Sequence, residues 1–150
     1  GENVFQGYWG MKEKTEEAFK KDGFFITGDL AQKDESGYFT IVGRDKDMII
    51  SGGLNVYPKE IEDVLNELPN VLESAVFGLQ HADFGEAVVA AVVVNDDKNN
   101  ENQIIDFTKD KIAKYKQPKK IIFMDNLPRN SMGKVQKNLL RKNNQNLFKG

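Results

Sequence analysis

A chain of 150 residues, 39% hydrophobic and 29% charged, is long enough for one core, or for one domain plus part of another, and has the composition of a folded protein. Having no cysteine, it has no disulfide, thiolate zinc site, iron–sulfur cluster or cysteine nucleophile, and a single histidine, His81, leaves little room for a His-rich metal centre. The formal net charge of −2 hides a split: residues 1–108 carry 9 Lys+Arg and 21 Asp+Glu, whereas residues 109–150 carry 12 and 2, which suggests a basic face turned toward a phosphate-rich partner.

In chain order, residues 11–20 predict a short polar helix. Strands at Phe24–Leu30 and Tyr38–Val42 flank the turn DESG and pair as a hairpin. GRDKD at 43–47 reads as a linker or exposed turn. Met48–Ile50 is a short strand and Ser51-Gly52-Gly53 a flexible loop. Pro58 opens a helix whose apolar positions 61, 64, 65 and 68 have helical spacing. Two β-branched, half-buried strands follow, Glu73–Leu79 and Glu86–Val94, joined through HADFG. A solvated loop at 96–102, a helix at Ile104–Tyr115, a strand at Lys120–Met124, a turn at 128–134 and a Lys/Arg-rich helix at Val135–Phe148 complete the chain. From residue 47 the order is β-α-β-β-α-β-α, so the fold class is α+β, with helices packed on a small mixed sheet.

The longest apolar run, Ala87–Val94, falls well short of the roughly 18 residues that span a bilayer, and no signal peptide is evident. With zero cysteine, this points to the cytoplasm. The chain opens at Gly1 without an initiator Met and reads as a piece of something longer.

Three clusters join glycine to a charged side chain. Asp29, after Thr27-Gly28, is either a strand-terminal turn cap or a carboxylate for a vicinal diol such as ribose. Arg44 in GRDKD offers a planar fork for phosphate or ribose oxygens, and Gly52 and Gly53 let a ligand approach the backbone; the bland alternative is a charged turn and a strand-to-helix loop. Lys134, on the loop PRNSMGK, is either a solvated surface lysine or a compact cation for developing negative charge. His81 reads as a turn residue before a general base. Glu60 and Glu62, two apart on one helix, do not share a face.

Together and in order, Gly7-Tyr8-Trp9, DGFFITGDL at 22–30, GYFTIVGRDKDMIISGGLNVYPKEIE at 37–62, HADFGE at 81–86 and LPRNSMGKVQKNLLR at 127–141 resemble the carboxy-terminal part of the adenylate-forming superfamily. That superfamily holds acyl-CoA synthetases, peptide-synthetase adenylation domains and luciferase. Two segments, GGLNVYPKEIE and LPRNSMGKVQKNLLR, look most like malonyl-CoA synthetases. The resemblance implies an ATP-dependent acid–thiol ligase: carboxylate and ATP give acyl-AMP and pyrophosphate, and CoA then gives acyl-CoA and AMP. It implies that residues 1–43 are the tail, a β-hairpin remnant, of a large amino-terminal domain, 44–46 a hinge and 47–150 a small carboxy-terminal domain. It assigns Asp29 and Arg44 to the nucleotide, Lys134 to catalysis of adenylation, Lys46 to the hinge, and Ser51, Gly52 and Gly53 to the pantetheine arm of CoA. The Mg²⁺ site and most of the acyl pocket are expected in the amino-terminal domain, so this fragment alone is expected to be inactive. Besides malonate, medium- or long-chain fatty acids, aryl acids and a carrier-protein acceptor stay open. A nucleic-acid module using the basic segment lacks any RNP, helix-turn-helix or KH signature. From charge alone, Lys116, Lys119, Lys120, Lys137 and Arg141 line a route for CoA phosphates.

Overall fold

The longest apolar run becomes the central strand of the fold. The computed structural model describes residues 1–95 and 100–149, so the solvated loop expected at 96–102 lies largely outside the described residues. The elements are α1 (Lys12–Ala18), β1 (Asp29–Lys33), β2 (Phe39–Arg44), β3 (Ile49–Ser51), β4 (Leu54–Val56), α2 (Pro58–Leu65), β5 (Val71–His81), β6 (Gly85–Val94), α3 (Glu101–Lys109), β7 (Lys120–Phe123) and α4 (Lys137–Asn143). Strands β1 and β2 form a separate antiparallel hairpin. The main sheet runs β4-β3-β6-β5, with β7 parallel to β6. The α+β architecture is the expected one.

The long strands differ from expectation in being covered on both faces. Their side chains alternate with period two. Val76, Val88, Ala90 and Val92 join Ile61 and Leu65 of α2 and Ile104 of α3 in one core. Ala75, Phe77, Leu79, Val89 and Ala91 join Leu127 and Leu140 of α4 in the other. Helices on both faces explain an uninterrupted apolar strand where a half-buried one would alternate. Each large side chain so buried contributes roughly 1.5–3 kcal/mol.

Gly78 is the one gap in this β5 row, and it is filled. A Cβ there would lie 2.7 Å from Glu86 Oε1 and 3.0 Å from Ile49 Cγ2, while Glu86 Oε2 accepts the Ile50 N–H at 2.8 Å. The bare backbone of Gly78 thus lets Glu86 lie flat and fasten β3 to the sheet. Gly78→Ala should displace that carboxylate and lower stability by about 1–3 kcal/mol, read from denaturant midpoints.

Other boundaries moved for local reasons. Gly28, at φ +71°, breaks the expected Phe24–Leu30 strand, so pairing begins only at Asp29 and Phe25 keeps a lone bridge to Phe19. Ser51-Gly52-Gly53 is not a loose loop. Gly52 and Gly53 have φ of +59° and +78° and form the two-residue turn between β3 and β4, the latter a strand absent from the sequence reading. Helix α3 has an Asn100/Gln103 capping box but stops at Lys109, where Gln117 Nε2 donates to the Ile112 carbonyl at 3.3 Å and a 3-10 turn follows at Lys114–Lys116. Helix α4 ends where Asn144 Nδ2 donates to the Leu140 carbonyl at 2.8 Å, short of the expected Phe148.

No residue before Ile49 is buried. The first 48 residues gather a small ring cluster, Phe5, Tyr8, Phe19 and Phe25, yet leave Trp9, Phe24, Tyr38, Phe39 and Ile41 largely in solvent. Among the described residues no helix is long and apolar enough to cross a membrane.

Candidate functional site

Asp29 and Arg44 face each other across the β1–β2 ladder. The turn at Gly28 lets Thr27 Oγ1 accept the Asp29 N–H at 3.1 Å. Arg44 Nε lies 2.6 Å from Asp29 Oδ1, and the carboxylate side chain keeps 26% exposure. A carboxylate so exposed is available to a hydroxyl donor. This pair borders a cleft of about 470 Å³ that Ile41, Pro58, Glu62 and Lys137 also line.

Lys134 stands on the turn between β7 and α4, closed by a bridge between Arg129 and Val135. Asn130 organises it: its N–H donates to the Lys134 carbonyl at 2.9 Å, and its Oδ1 accepts the N–H groups of Met132 and Lys134 at 3.0 and 2.9 Å. The Lys134 side chain is exposed. Lys46, in the 3-10 turn Asp45–Asp47, lines the same cleft of about 280 Å³ with Asn130, Lys134, Lys137 and Arg141. Asp47 and Lys137 border this cleft and the previous one, so the two adjoin. The structure therefore brings Asp29, Arg44, Lys46 and Lys134 to one region of the surface.

Most charges there are already spoken for. Lys137 meets Glu62 at 2.7 Å, with side-chain exposures of only 17% and 15%, and Glu62 Oε1 also accepts the Val76 N–H at 2.8 Å. Arg141 meets Asp47 at 3.2 Å. Among the described residues, Lys46 and Lys134 are the cations of this cleft without a carboxylate partner.

Ser51, Gly52 and Gly53 line neither cleft. Their turn docks on the β5–β6 connection: Ser51, almost wholly buried, pairs with Gly85, and the Gly52 N–H donates to the Phe84 carbonyl at 2.8 Å. His81 sits beside that connection, its Nδ1 accepting the Asp83 N–H at 3.1 Å and its ring packed on Phe84 and Phe148. This is the turn role, not that of a base.

Among the described residues, most of the basic side chains whose charge suggested a phosphate route already have partners. Lys116 pairs with Glu60, Lys120 with Glu101, Lys137 with Glu62 and Arg141 with Asp47; Lys119 packs over the Phe84 ring. The charge split along the chain is largely internal pairing between an acidic first part and a basic last part. Glu60 and Glu62 do point to different partners, as their spacing required. Among the described residues, every ion pair closes within residues 12–44 or within residues 47–141, and none joins the two parts.

The hydrogen bonds that the Lys116 ammonium donates to Glu60 hold it above its ordinary 10.5, against the opposing effect of burial. A raised cation stabilises the fold fully below its unfolded value and loses that contribution as pH climbs through the folded one. Glu60→Gln should therefore cost stability below pH 10.5 and cost progressively less above it, as thermal unfolding on both sides of that pH will measure.

Sequence reasoning missed Glu62, Asn130 and Glu73, which pairs with Arg129 at the foot of the Lys134 turn, as parts of the site's support. Only Asn130 carried a local signal, an Asn two residues after proline in a turn.

The family profile of the AMP-binding enzyme C-terminal domain matches residues 60–134. The long-chain-fatty-acid–CoA ligase FadD13 of Mycobacterium tuberculosis is 47% identical over 92% of this chain and 27% of its own length. The indoleacetate–CoA ligase of Aromatoleum aromaticum is 43% identical over 94% of this chain and 28% of its own length. Among solved structures, ATP-bound MatB from Rhodopseudomonas palustris is 55% identical over 99% of this chain and 30% of its own, with a TM-score of 0.91; apo MatB, at the same identity and coverage, gives 0.73. The chain thus spans about a quarter of the length of the curated relatives it matches.

Proposed function

Since the chain belongs to the AMP-binding enzyme C-terminal domain family, we propose that it forms the carboxy-terminal part of an ATP-dependent acyl-CoA ligase. The observation that carries this reading is the unpaired Lys134 ammonium, held on a braced turn beside a cleft that adjoins the Asp29–Arg44 pair. In the first half-reaction a carboxylate oxygen bonds to the α-phosphorus of ATP and the α–β phosphoanhydride breaks, releasing pyrophosphate. Lys134 places its charge between the two anions that must approach. Asp29 Oδ2 accepts a ribose hydroxyl, and Arg44 fixes the other carboxylate oxygen and borders the nucleotide. In the second, the thiol sulfur of CoA bonds to the acyl carbon, its proton is lost, and AMP leaves. Among the described residues no group of three His, Asp or Glu side chains gathers as metal ligands; the Mg²⁺ site is assigned to the larger amino-terminal domain, and no step here uses it.

Residues 1–43 would be the tail of the larger domain, 44–46 the hinge and 47–150 the small domain. The absence of any buried residue before Ile49 supports that division: the exposed rings of the hairpin have the character of a face that packs on more protein. The lack of ion pairs across it among the described residues, and the different TM-scores against ATP-bound and apo MatB, support two arrangements of these parts. One presents Lys134 to the adenylate; the other presents the turn at Ser51, Gly52 and Gly53 to pantetheine. Proline at 46 disfavours the helical backbone of Asp45 and stiffens the turn. In the full-length ligase Lys46→Pro should therefore slow thioester formation more than adenylation, a difference that separate assays of the two half-reactions measure.

Malonate leads among the acids, because GGLNVYPKEIE and LPRNSMGKVQKNLLR read most like malonyl-CoA synthetases. A pyrophosphate-release screen of the full-length protein over malonate, fatty acids and aryl acids, with CoA as thiol, tests the reading. Release with one class and formation of its CoA thioester is the expected result; no release with any would overturn it, and release without a CoA thioester would indicate a carrier-protein acceptor.

A further inference from the structure

The peptide unit that leads into Lys134 is gripped at both ends. Its carbonyl, that of Gly133, accepts a hydrogen bond from Arg129 Nη1 at 2.7 Å. Its N–H, that of Lys134, donates to Asn130 Oδ1 at 2.9 Å. Arg129 in turn is tied through Nη2 to Glu73, near the start of β5. Glu73 is thus the point at which an otherwise exposed turn is fastened to the main sheet. Among the described residues the Lys134 side chain has no hydrogen-bond or carboxylate partner, so its restraint comes from the orientation of its own backbone.

We propose that Glu73 and Arg129 are positioning residues for adenylation, holding the peptide plane of Gly133–Lys134 so that the Lys134 ammonium is aimed before the substrates arrive. The arrangement suits arginine specifically, because one planar fork reaches a carbonyl and a carboxylate at once, which a lysine ammonium on a flexible stem does not reproduce. Neither residue touches the reacting atoms; both act through Lys134. This rests on the adenylation reading of Lys134 given above.

The test uses the full-length ligase and assays pyrophosphate release and thioester formation from preformed acyl-adenylate separately. Arg129→Gln and Glu73→Gln should each lower the adenylation rate constant about tenfold, since small misplacement of a catalytic group is costly, with the KM values little changed and thioester formation within about twofold. Arg129→Lys should share that selective loss. Added to Lys134→Ala, Arg129→Gln should lower adenylation no further, because residues acting through one group are non-additive. A tenfold loss that persists in the Lys134→Ala background, an equal loss in both half-reactions, or wild-type rates in Arg129→Lys would overturn the proposal. If Lys134→Ala itself left pyrophosphate release intact, the adenylation reading would fall; if only the Arg129 and Glu73 variants were silent, that reading would survive and the positioning role would not.

Discussion

Lys134→Ala in the full-length ligase should slow pyrophosphate release by about a hundred- to a thousandfold or more, the loss of about 3–4 kcal/mol of transition-state stabilisation that follows removal of one well-placed charged or hydrogen-bonding group. Thioester formation from preformed acyl-adenylate should be largely spared, because the anions that Lys134 separates have by then already joined. The size follows from the geometry. The ammonium is unpaired among the described residues, whereas the neighbouring Lys137 and Arg141 are already neutralised by Glu62 and Asp47. Among the described residues, the other cation of the cleft without a carboxylate partner is Lys46, on a different segment. Lys134→Arg keeps the charge but replaces a compact ammonium by a wide fork, and should recover only part of the rate. Equal losses in the two half-reactions would remove the role assigned to this residue.

Glu62→Ala should be the most damaging of the charge deletions to stability, by about 3 kcal/mol. It strands two groups at once: Lys137, whose side chain is only 17% exposed, and the Val76 N–H, which the same carboxylate oxygen satisfies. An unpaired half-buried cation and an orphaned strand donor each carry a desolvation penalty. For a body of roughly a hundred residues this corresponds to a fall in Tm of more than 10 °C. Glu62→Gln should lose less, since an amide oxygen still accepts from Val76, and Glu62→Ala combined with Lys137→Met should recover stability by removing the stranded charge. Thermal unfolding of the set measures the order; a double variant worse than Glu62→Ala would contradict this account.

Much of this was legible in the sequence because the signals were local. Pro58 at the start of α2, the helical spacing of Ile61, Val64, Leu65 and Leu68, and the apolar length of Ala87–Val94 each reflect a periodicity or a cap that a short window contains. The position of Lys134 between Gly133 and a basic helix was equally local. What escaped is non-local. Nothing near Glu73 announces Arg129, fifty-six residues away, and nothing near Glu62 announces Lys137. The charge split was visible but its meaning was not, because pairing depends on which acidic helix α4 packs toward. The paired glycines were seen as freedom, whereas their positive φ values serve a fixed two-residue turn. Gly78 was silent, since the close approach of Glu86 appears only once β5 and β6 are in register.

The confinement of ion pairs to either side of residues 44–47 has a consequence for the proposed alternation. Among the described residues, moving one part against the other breaks none of these pairs. Added salt, screening over about 8–10 Å at physiological concentration, acts on the pairs that join α2, α4 and the 3-10 turn within the small body, and least on the half-buried pair of Glu62 and Lys137. The ion pairs of this chain thus reinforce each part without tying the two together.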